Sequence, residues 1–154
     1  MKLKLPRDQM DLLKTELEKA GTKEIGGQIF GEQVAPSMFC GSDFTFQKRP
    51  GTFSRFLVDL LQAAADAVAF FDRTQHNYKR YNYIGEWHSH PSFAVCPSSI
   101  DVQTMRNLVA DKAFVGQFAL LLICKLNGTS LEIGGWLFDP SGQEFAITLE
   151  EEHV

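Results

Sequence analysis

Tyr81-Asn82-Tyr83-Ile84-Gly85-Glu86-Trp87-His88-Ser89-His90-Pro91, taken up again five residues later by Pro97-Ser98-Ser99-Ile100-Asp101, is the stretch on which the reading of this chain turns. Aromatic and β-branched residues make 81–90 a strand, and Pro91, which cannot donate to a ladder, ends it. Alternate strand residues share a face. His88 and His90 therefore point the same way, with Cα atoms ~6.6 Å apart at a rise of ~3.3 Å per residue, while Ser89 points away. Residues 97–101 have the form of a helix start, with Ser98 at the N-cap and Asp101 at the third helical position. The helix dipole favours the ionised carboxylate there, which is the form a metal ligand needs. Ser98, capping with its oxygen, keeps its own proton to donate to an oxyanion. Two imidazoles, a carboxylate and a hydroxyl at these offsets are the parts of a catalytic zinc site with three protein ligands and one open position. Each part also has a plainer reading. Either histidine alone is an ordinary strand histidine, and Ser98 with Asp101 is a capping box that needs no chemistry.

Working outward, Met10, Leu13 and Leu17 lie at helical spacing between Pro6 and Gly21, which predicts an amphipathic helix over 6–20. A short edge strand is expected at 1–5. Strands are expected at 24–34 and 39–47, joined through Pro36-Ser37, then a loop at 48–52. Phe53, Phe56, Leu57, Leu60, Leu61, Ala64, Ala67, Val68 and Phe71 recur at the spacing of a long buried helix. Three strands follow the Ser98 helix, at 118–126, 130–138 and 144–149, with Asn127-Gly128 as a hairpin turn. The expected architecture is α/β (α+β), a mixed sheet flanked by helices, in one domain over 1–154 with a fraying acidic tail at 150–154.

The composition narrows the function classes. A net charge of −4 and the lack of a clustered basic stretch argue against a nucleic-acid surface. Lysine alternates with leucine in 1–6, unlike a signal peptide, and the apolar run 113–124 is broken by Gly116 and Gln117. A cytoplasmic location with no membrane partner is expected. Cys40, Cys96 and Cys124 are widely spaced and form no Cys-x-x-Cys pair, which fits a reducing compartment.

The His-x-His, seven-residue gap, Ser, two-residue gap, Asp pattern of His88, His90, Ser98 and Asp101 resembles the JAMM motif of the JAB/MPN metallopeptidase family. Glu24-Ile25-Gly26-Gly27-Gln28-Ile29-Phe30-Gly31 looks like that family's first core strand. The resemblance implies a cytidine-deaminase-like layering, and one zinc ion per chain held by His88, His90 and Asp101. It further implies Glu24 as general base and Ser98 as a donor to the tetrahedral intermediate. Residues 83–91 look most like compact bacterial members found beside ubiquitin-activating and conjugating-type genes in antiphage defence operons. Those members resemble deubiquitinases and cut after the C-terminal glycine of a ubiquitin-like protein. The partners so implied are a ubiquitin-like protein or its conjugates, with activating and conjugating-type enzymes on separate chains.

Several alternatives stay open at this level. Glu24 has a plain reading as a solvated strand-edge residue next to Lys23, and Glu86, two residues from His88 on the same face, competes for the role of base, with Glu24 favoured. Cys96, between His90 and Asp101, is a thiolate ligand, a redox switch on the metal or a plain free thiol. Gly26 and Gly27 offer bare backbone along which a glycine-terminated tail can lie as an added strand. Besides conjugate cleavage, the resemblance permits maturation of a ubiquitin-like or sulfur-carrier precursor. A non-catalytic binding scaffold is the alternative of another class. A zinc deaminase is excluded, because neither His-x-Glu nor Pro-Cys-x-x-Cys occurs.

Overall fold

The computed structural model describes residues 1–47 and 60–152. The loop 48–52, the first turns of the expected long helix with Phe53, Phe56 and Leu57, and His153 lie outside the described residues. Along the chain run β1 (Lys2–Leu5), α1 (Arg7–Ala20), β2 (Gly26–Ala35), β3 (Met38–Phe44), α2 (Leu60–Arg73), β4 (Tyr81–Ser89), α3 (Ser99–Ala110), β5 (Ala119–Asn127), β6 (Ser130–Phe138), β7 (Glu144–Ala146) and β8 (Thr148–Glu151). The mixed sheet flanked by helices agrees with the expected fold class.

Among the described residues, eight strands join one sheet in the order β7-β6-β5-β4-β2-β3-β1-β8. Three expectations fail here, for one reason. The segment read as a single strand at 144–149 is split at Ile147: β7 pairs with β6 at one end of the sheet and β8 pairs with β1 at the other. One residue cannot bridge a flat sheet of this width, so the sheet rolls until its two ends meet. The roll converts β1 from the expected edge strand into an interior one, parallel to both β3 and β8. It also takes Glu150 and Glu151 out of the expected fraying tail and into β8, where Glu150 accepts a hydrogen bond from Lys2 Nζ at 2.7 Å.

The roll defines two cores. Inside it, Leu13 and Leu17 of α1 pack against Leu3, Leu5, Ile29, Phe44, Trp87, Leu120 and Leu122. On the outer face, Met105 and Val109 of α3 cover Ala119, Leu121, Ile123 and Phe138, while α2 seats Phe70 on Phe30 with ring centroids 4.7 Å apart. Alternation along β4 sends Trp87 inward, with no exposed surface, and His88 outward, opposite Ile123 of β5. The site is thus raised on the outer face, at the C-terminal end of β4 and beside the start of α3. No helix among the described residues is long and apolar enough to cross a membrane.

Candidate metal centre

β4 ends at Ser89, so His90 stands one residue beyond the strand, its N–H donated to the Cys124 carbonyl at 2.9 Å. This bond to β5 carries the strand direction one residue further, and both imidazoles keep to one face. Their Nε2 atoms lie 3.1 Å apart, and both residues are buried. Asp101 comes from the first turn of α3. Its amide donates to Ser98 Oγ at 3.2 Å while its Oδ2 accepts the Ser98 N–H at 2.7 Å, the reciprocal capping box that the sequence suggested. Held in this way, the carboxylate turns Oδ1 to within 3.3 Å of His88 Nε2 and Oδ2 to within 3.6 Å of His90 Nε2. The capping box and the ligand are therefore one arrangement rather than rival readings.

The chemistry of this donor set fits a metal ion. One ligand atom from each of His88, His90 and Asp101 lies within 4.8 Å of the others. Tetrahedral bonds of ~2.0–2.1 Å would place neighbouring ligand atoms roughly 3.3 Å apart, close to the separation of the two imidazole nitrogens. His90 Nδ1 lies 3.0 Å from the Ala94 carbonyl, which can only accept, so Nδ1 carries a proton and Nε2 is the ring nitrogen left to offer a lone pair to an ion at the centre. Burial by itself would raise the Asp101 carboxyl. The hydrogen bond and charge of His88, together with the Ser98 N–H and hydroxyl, outweigh it and bring the carboxyl down to about 2. The group is thus ionised at neutral pH, as a ligand must be.

A cleft of about 410 Å³ opens over these three side chains and is lined also by Glu24 and Ser98. Glu24 precedes β2 rather than opening it, as the sequence reading had placed it. Gly26 stands opposite His88, and the same register carried two residues back sets Glu24 opposite His90 on the site face. All five residues singled out in the sequence therefore meet in one place.

The competing assignments do not. Glu86 faces outward like His88 but lies below the cleft floor, buried, with Oε1 accepting the Tyr83 hydroxyl at 2.5 Å. Burial pushes its carboxyl up to about 8 against the opposing effect of that hydrogen bond. Cys96 lines the cleft wall as an exposed free thiol, yet it is not among the described ligand atoms that converge. The added-strand role for Gly26 and Gly27 also fails, because β2 is paired on both sides, with β4 and β3. A Cβ on Gly27 would stand 2.0 Å from the Thr45 carbonyl oxygen, so this glycine admits the continuation of β3 and not a substrate. The sequence reading missed the cleft rim, where Phe93 and Ile100 are 64% and 52% exposed. Large apolar side chains left in water beside converging polar groups were the available signal.

Residues 6–134 match the family described as prokaryotic homologs of the JAB domain. Among solved structures, the chain is similar to protein DSY2949 from Desulfitobacterium hafniense, with a TM-score of 0.65 and 20% identity over 97% of this chain and 94% of that one. It is similar also to AF2198, a JAB1/MPN domain protein from Archaeoglobus fulgidus, with a TM-score of 0.50 and 13% identity over 97% and 98% of the two chains. No curated protein matches. With the family match spanning most of the chain and the same fold in these neighbours, the chain belongs to the prokaryotic JAB domain family.

Proposed function

We propose that the protein is a zinc-dependent hydrolase that cuts the peptide or isopeptide bond after the C-terminal glycine of a ubiquitin-like protein, releasing that protein from its conjugates. The observation that carries this reading is the convergence of His88, His90 and Asp101 in one cleft with Glu24 and Ser98. A zinc ion held by the three ligands supplies Lewis acidity, lowering the pKa of water toward about 7 and polarising a carbonyl. Glu24 takes the proton of the attacking water and delivers it to the leaving amine. Ser98 Oγ accepts the Asp101 amide, and its proton, which the Asp101 carboxylate draws in the free site, turns to the developing oxyanion. Phe93 and Ile100 give the cleft mouth an apolar rim for the residues flanking the cut. A narrow, unbranched, glycine-terminated tail suits a cleft of this size better than a folded surface does. The proposed setting is a cytoplasmic antiviral defence system with separate activating and conjugating-type enzymes.

The test uses zinc-loaded protein with two substrates, an isopeptide conjugate of a ubiquitin-like protein and a C-terminally extended precursor of it. We expect cleavage of the conjugate that chelator abolishes and zinc restores, and that Glu24→Gln abolishes with zinc retained. Cleavage of the precursor alone would assign the protein to maturation. Purified protein that holds no zinc, cuts neither substrate and folds equally well in chelator would make it a binding scaffold.

A further inference from the structure

The residue between the two histidines faces away from the cleft, yet it is tied to the base. Ser89 is 1% exposed. Its N–H donates to the Ile25 carbonyl at 2.8 Å, and its Oγ accepts the Ile25 N–H at 2.9 Å. The register that pairs Gly26 with His88 sets Ile25 opposite Ser89, where a regular antiparallel ladder would send the Ile25 N–H to a backbone carbonyl. The serine hydroxyl takes that place just as β4 ends. Regular pairing of β2 begins only at Gly26, so these two bonds extend it by one residue, to the neighbour of Glu24. On the other side, Gln47 N–H donates to the Gly26 carbonyl at 2.9 Å. The segment that carries Glu24 is thus clamped to the backbone that carries both imidazoles.

We propose that Ser89 is a positioning residue: through its bond to Ile25 it holds Glu24 at a fixed offset from His88 and His90. The inference rests on the reading of Glu24 as the base. A displacement of about 1 Å at a reacting group costs on the order of 10²-fold in rate, so a one-atom anchor beside the base has a measurable effect. Any side chain with an acceptor oxygen on its β-carbon serves, which admits threonine and excludes alanine.

The experiment follows kcat, KM, zinc content and hydrogen exchange at the Ile25 amide in zinc-loaded wild type, Ser89→Ala, Ser89→Thr, Glu24→Gln and the Ser89→Ala/Glu24→Gln double variant. Expected for Ser89→Ala is a fall in kcat of about tenfold or more with KM and zinc content unchanged and faster exchange at Ile25. Ser89→Thr restores both. In the Glu24→Gln background, where turnover is already lost, Ser89→Ala still speeds exchange at Ile25 and leaves zinc content unchanged, because the residue acts on the segment that carries the base. A wild-type kcat in Ser89→Ala beside an inactive Glu24→Gln overturns the positioning role and leaves the base standing. Loss of zinc in Ser89→Ala, alone or in the double variant, overturns it in favour of a role toward the histidines or the fold. Full activity in Glu24→Gln overturns the reading of the base and this inference with it. If Ser89→Ala does not fold, Ser89→Cys, with only a weak acceptor, takes its place under the same criteria.

Discussion

On the proposed reading Ser98 serves two purposes with one hydroxyl, and its two lone pairs and single proton make this feasible. The oxygen caps α3 through the Asp101 amide, and on that reading the proton turns from the Asp101 carboxylate to the substrate oxyanion. These purposes separate on substitution. Ser98→Ala is expected to cost about 1 kcal/mol of stability through the lost cap and to lower kcat by about 10²–10³-fold. Ser98→Asp keeps the cap but carries no proton at neutral pH, so thermal unfolding should stay near wild type while turnover is lost. Equal turnover in wild type and Ser98→Asp would remove the oxyanion role. At this scale the sequence was most legible, because the His-x-His alternation and the Ser-x-x-Asp cap are local geometries that strand and helix periods already imply. Glu24 was not legible in that way. Only the pairing of β2 with β4 brings it beside residues more than sixty positions later.

Among the elements, β4 departs from a regular strand in a manner that decides between the two glutamates. Its pairing with β2 passes from Gly85 to Tyr83 as β2 advances from Ile29 to Phe30, leaving Ile84 as an extra residue. The bulge puts Tyr83 and Glu86, three apart, on the same face and joins them by a hydrogen bond. Glu86 is thereby sealed beneath the site. Its carboxyl lies at about 8 in the folded protein against an ordinary 4.5, so between those values the native state holds a proton that the unfolded chain releases. The contribution of Glu86 to stability is therefore greatest below about pH 4.5 and declines as pH rises through about 8. Urea unfolding across pH 5 to 8 is expected to show this decline in wild type and a flatter profile in Glu86→Gln. Identical slopes would mean that the carboxyl is already ionised in the fold. Alternation read along a regular strand put Glu86 beside the ligands, and the pairing partner that introduces the bulge lies outside that stretch.

For the whole molecule, the rolled sheet sets what is rigid. Leu3 on β1 has no exposed surface and packs in the inner core beneath α1, so Leu3→Ala should cost about 2–5 kcal/mol by urea unfolding. A cost below about 1 kcal/mol would restore the edge-strand reading. The inner and outer cores are both assembled without the metal ligands, so removing the ion with a chelator should lower Tm by the linkage of binding to folding yet leave a cooperative transition. Loss of the transition altogether would make the ion structural. The sequence by itself determined α1, α3, the described part of α2, most strands, the fold class and the four residues clustered within 88–101, because each depends on periodicity, turn chemistry or capping within a few residues. The tertiary structure alone decided that 144–151 serves both ends of the sheet, that β1 is interior and that Glu24 rather than Glu86 reaches the cleft. These features depend on which strand lies beside which, and the free energy of that choice is spread over packing between residues far apart in the chain.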